Sequence, residues 1–88
     1  MEKKVFKVLV IEDDPNYFIL VNERLSQNRD PAFELTRSKH MQSGLERLAQ
    51  GNIDVVLLDL TLPDSEGLNS FLSVHKAFPA IPVIILTS

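Results

Sequence analysis

The chain has 88 residues, of which 44% are hydrophobic and 24% charged, with 9 Lys+Arg against 12 Asp+Glu and a net charge of −3. At roughly 150 residues per domain this is one domain at most, and the balance excludes disordered, collagen-like and low-complexity chains. The absence of cysteine excludes disulfides, thiolate metal sites and a cysteine nucleophile. The acidic balance argues against direct nucleic-acid binding, and no apolar run approaches the ~20 residues of a membrane-spanning helix. Lys7 and the acids from Glu12 interrupt any secretory core, so the chain is expected to be cytoplasmic.

Val5–Ile11, broken only by Lys7, predicts a first strand buried on both faces. Asp14-Pro15 predicts a helix start, with Asp14 as N-cap and Pro15 at the first helical position. Phe18, Val21 and Leu25 give that helix an apolar face, and the stretch from Asn28 to Pro31 ends it. Phe33–Arg37 alternates and predicts a second strand near an edge. Met41, Leu45 and Leu48 mark a second helix, closed by Gly51-Asn52. Ile53–Leu60 is the most apolar run and predicts a central strand. A loop at Leu62-Pro63-Asp64 leads to a third helix, with Leu68, Phe71, Leu72, His75 and Phe78 assigned to one face. Val83–Leu86 predicts a fourth strand. This β-α-β-α-β-α-β order implies an α/β fold, with right-handed crossovers and a doubly wound parallel sheet.

The acids collect at one kind of place. Glu12 and Asp13 follow the first strand, Asp59 closes the third, and Thr87-Ser88 follow the fourth. Ligands of doubly wound sheets bind beyond the carboxyl ends of the strands. If strand two lies outside strand one, in the order 2-1-3-4, strands one and three are neighbours about 4.8 Å apart. Asp13 and Asp59 would then reach one cation. Three carboxylates in that space repel one another, and a hard oxygen-binding ion removes the conflict. Magnesium fits, because it binds one or two carboxylates and keeps waters and a phosphate oxygen. A carboxylate beside such an ion can act as a phosphoryl-accepting nucleophile, with the Thr87 hydroxyl donating to a phosphoryl oxygen.

Val8–Asp14 resembles the first strand and acidic pair of bacterial response-regulator receiver domains. Val55–Leu68 resembles the family's phosphorylation-site segment, including Pro63 and Gly67 at the family's spacing after Asp59, and Pro82–Ser88 resembles its fourth strand with the switch hydroxyl. The resemblance implies a flavodoxin-like fold and a phosphoacceptor of two-component signalling. Asp59 would accept a phosphoryl group from the phosphohistidine of a histidine kinase or phosphotransfer protein. Asp13 would ligate Mg2+ directly, Glu12 through water, and Thr61 through its backbone carbonyl. Thr87 would be the switch. Such a domain assists its own phosphorylation and is not a conventional enzyme.

In the family a fourth helix, a lysine-bearing fifth strand and a fifth helix follow. Residues 1–88 are therefore expected to form an incomplete receiver domain, with the fifth strand absent and an apolar edge that pairs or swaps elements with a second copy. Two alternatives stand beside this reading. One is a receiver-like interaction module that is not phosphorylated. The other is a haloacid-dehalogenase-type phosphatase, disfavoured because Thr61 stands where that family places a second aspartate. His40 is read as a surface histidine, His75 as partly buried, and Asp54 as a strand-boundary residue.

Overall fold

The structure is a computed structural model that describes residues 4–60, 62 and 67–86. Its elements run β1 (Val5–Ile11), α1 (Pro15–Ser26), β2 (Ala32–Ser38), α2 (Met41–Ala49), β3 (Val55–Asp59), α3 (Gly67–Ala77) and β4 (Val83–Leu86). All pairings between these strands are parallel, and the sheet order is β2-β1-β3-β4. This is the 2-1-3-4 order expected for a flavodoxin-like fold.

Strand alternation sorts the core into two layers. Leu9, Ile11, Val56 and Leu58 point to one face, where Met41 and Leu48 of α2 and Val74 of α3 pack with them. Val8, Val10 and Leu57 point to the other, against Phe18, Val21 and Leu25 of α1. Among the described residues two helices cover the first face and one covers the second. An apolar groove of about 490 Å³ accordingly runs beside α1, floored by Val8, Val55 and Leu57 and reaching Ile84 of β4. No residue of α1 is fully buried, and Leu20 is 49% exposed.

Local chemistry sets the element ends. The Asp14 carboxylate accepts a hydrogen bond from the Asn16 N–H at 2.9 Å, with Pro15 in the first turn, as the sequence predicts. After α2, Gly51 (φ 86°) and Asn52 (φ 66°) both turn left-handed, the conformation glycine and asparagine tolerate best, and deliver Ile53 to the core. Asp54 is a boundary residue with a defined task. Its Oδ2 accepts from the Lys7 N–H at 2.8 Å, and its own N–H donates to the Lys7 carbonyl at 2.8 Å.

Four sequence expectations need correction, His75 among them, since it was expected to be partly buried. Val5 of β1 is 45% exposed, because β3 pairs only with Val8–Ile11 and leaves the first part of the strand beside β2 alone. β3 is shorter than Ile53–Leu60, its length fixed by the two ladders it shares with β1 and β4. On α3, Ser70 and Val74 face the sheet with no exposed surface, whereas Leu68 is 67% and Leu72 55% exposed. The small Ser70 lets the helix approach closely, and the bulky Phe71 and Phe78 pack at its flank. His75 lies on the exposed surface, stacked on the Phe71 ring at 5.5 Å.

Candidate functional site

Register builds the site. Ile11 pairs with Leu58, so the next residue of each segment, Glu12 and Asp59, lies abreast at the carboxyl end of the sheet. Asp59 is the last residue of β3 and is itself paired with Leu86 of β4. Glu12 and Asp59 are buried, at 6% and 5% exposure, and Asp13 is the more open of the three. One carboxylate oxygen from each of Glu12, Asp13 and Asp59 lies within 4.8 Å of the other two. The residues expected to share a cation are thus brought together from positions remote along the chain.

The electrostatics are those of crowded like charges in a partly dry site. Burial pushes the Glu12 carboxyl up from 4.5 to about 7. A hydrogen bond from the Asp14 N–H opposes that rise, while the nearby Asp59 and Asp13 carboxyls add to it. A proton or a cation resolves such crowding. An all-oxygen donor set of three carboxylates suits a hard divalent ion.

The loop carrying Glu12 and Asp13 is held from β2. The Glu12 N–H donates to the Ser38 carbonyl at 3.0 Å. Arg37 donates from Nε to the Glu12 carbonyl at 3.0 Å and from Nη2 to the Asp13 carbonyl at 2.8 Å. Sequence reasoning gave Arg37 no role beyond ending a strand. The signal available was the parallel pairing itself, which sets the end of β2 against the end of β1. Thr61 and Thr87, the other expected site residues, lie outside the described residues. His40 is exposed at the start of α2 and, like His75, is not in the carboxylate cluster.

A doubly wound α/β domain with an acidic cluster at the carboxyl ends of its two inner strands defines the class. A sequence model described as the response regulator receiver domain matches residues 8–88. The chain belongs to this family. It is 30% identical over 88 residues, all of this chain, to the transcriptional regulatory protein GlrR of Escherichia coli, and 34% identical over 82 residues (92% of this chain) to the swarming motility regulation protein RssB of Serratia marcescens. It spans only 19% and 36% of those two proteins. Among solved structures it is similar to a complex of histidine kinase ThkA with response regulator protein TrrA. The match has 28% identity and a TM-score of 0.82, and covers 94% of this chain and 69% of that one.

Proposed function

We propose that this domain is a phosphoacceptor switch of a two-component pathway, with Asp59 as the acceptor. The observation that carries the proposal is the convergence of the Glu12, Asp13 and Asp59 oxygens within 4.8 Å. An Asp59 carboxylate oxygen attacks the phosphorus of a phosphohistidine. The O–P bond forms as the P–N bond breaks, and the departing imidazole keeps the electron pair and regains a proton from solvent. Asp13, Asp59 and the Thr61 carbonyl would hold Mg2+, with Glu12 contributing through water. When bound, the ion would supply positive charge against the charge developing on the phosphoryl oxygens. The Thr87 hydroxyl donates to one of those oxygens and signals that the group has arrived. The roles of Thr61 and Thr87 rest on the family resemblance.

The phosphoryl donor in this proposal is a histidine kinase or phosphotransfer protein in the cytoplasm. The similarity to a response regulator solved together with a histidine kinase supports that partner class. Self-association is the second part of the reading. Among the described residues β4 is paired on one side only and presents Ile84 and Ile85 at 53% and 38% exposure, which would suit pairing with a second copy.

Beryllofluoride with Mg2+ tests the central claim, read by fluorine NMR. A saturable bound signal is expected for the protein, together with phosphorylation by acetyl phosphate, and Asp59→Asn abolishes both. Failure of the unaltered protein in both assays would leave the interaction-module reading in its place.

A further inference from the structure

We infer that Arg37 is a positioning residue, whose guanidinium fixes the backbone of the acidic loop so that the Asp13 carboxylate is presented to a divalent cation. The inference rests on the proposed role of Glu12, Asp13 and Asp59 as cation ligands.

The two Arg37 hydrogen bonds land on either side of one Cα, that of Asp13. The Glu12 carbonyl belongs to the peptide plane before the Asp13 Cα, and the Asp13 carbonyl belongs to the plane after it. Nε and Nη2 of Arg37 hold these two carbonyls at 3.0 and 2.8 Å. Two soft dihedrals set the backbone at each residue. Fixing the planes on both sides of Asp13 therefore fixes both of its dihedrals, and with them the direction in which its side chain leaves. A rigid planar fork can hold two successive carbonyls in this way, whereas a flexible ammonium point charge cannot reproduce the geometry.

The choice of acceptors matters as much as the geometry. Both bonds go to neutral carbonyl oxygens, so Arg37 brings a positive charge to the edge of the cluster without occupying an oxygen a cation would use. Its backbone is also anchored, because Arg37 pairs with Val10 in the β1–β2 ladder. The neighbouring Ser38 carbonyl takes the Glu12 N–H, so two consecutive residues of β2 restrain one loop. Groups that orient metal ligands in this manner commonly influence affinity by ten-fold or more.

The test is Mg2+ binding by calorimetry to the folded protein, well below its melting temperature, in the unaltered chain and in Arg37→Met, Arg37→Lys and Asp13→Asn. Arg37→Met is expected to weaken binding about ten-fold. Arg37→Lys, which keeps the charge but not the fork, is expected to remain several-fold weaker than the unaltered chain, and Asp13→Asn to remove measurable binding. A merely structural role would lower the melting temperature and leave the dissociation constant of the folded protein unchanged, and that result overturns the inference. Full recovery in Arg37→Lys overturns it as well, and this variant carries the test alone if Arg37→Met does not fold. Normal binding by the unaltered chain and by Arg37→Met would remove the role of Arg37 while leaving the phosphoacceptor reading intact. No saturable binding by the unaltered chain would remove both.

Discussion

Glu12 holds its proton up to about pH 7 because it is buried beside Asp59 and Asp13, whereas in an unfolded chain it releases that proton near 4.5. Between those values the folded state binds more protons than the unfolded one, so folding stability falls as pH rises. The favourable contribution is fully present below about 4.5 and is lost as pH passes through about 7. Denaturant titrations at fixed pH should show this decline, and Glu12→Gln should flatten it. Saturating Mg2+ should recover stability at the upper end of the window, since a cation that binds only the folded carboxylates stabilises by mass action. An unchanged pH profile in Glu12→Gln would assign the decline to other groups.

The same three residues show what a sequence can reveal about a site. Glu12, Asp13 and Asp59 were legible because alternating strands and helices imply a parallel sheet with acids at the carboxyl ends of its strands, and the resemblance to receiver domains makes strands one and three neighbours. Arg37 was not legible in this way. Its task depends on the exact register of β2 against β1 and on a long side chain bending towards a loop, and neither leaves a periodic trace.

Elements were read most reliably where punctuation and periodicity agreed. Asp14-Pro15 opened α1 and Gly51-Asn52 closed the turn after α2, because both ends are decided by local backbone chemistry. The buried face of α3 was misread for the opposite reason. Hydrophobicity favoured Leu68 and Leu72, but the contact with the sheet is made where the helix can come closest, at Ser70 and Val74. Close approach also governs α2. A Cβ built on Gly44 would lie 2.6 Å from Cδ1 of Ile11, a side chain with no exposed surface into which to retreat. Helix propensity favours Gly44→Ala by about 1 kcal/mol. Overpacking a fixed core costs roughly 1–3 kcal/mol. The expected net effect is a loss of about 1 kcal/mol in urea unfolding, recovered only in part when Ile11→Val removes Cδ1, because Cγ1 at 2.9 Å remains. A more stable Gly44→Ala would mean that α2 shifts outward freely.

At the scale of the whole molecule, the two faces of the sheet are unequal. α2 and α3 close one layer, while beside α1 the groove leaves Ile84 exposed to solvent. Together with the side of β4 that no described strand covers, this gives the proposed self-association a concrete form. Sedimentation equilibrium should show a concentration-dependent shift towards a dimer, and Ile84→Lys should return the protein to monomer by placing a charge on the edge. A monomer at every concentration, with unchanged behaviour in Ile84→Lys, would exclude pairing through this edge.

β1 and β3, which bring the carboxylates together, are the inner strands, each flanked on both sides. Fraying at the outer edges therefore need not separate the carboxylates, whereas loosening of the far end of β2 would release the loop that Arg37 and Ser38 hold. Substitutions on the outer helix surfaces should accordingly disturb the cluster less than substitutions at that end of β2.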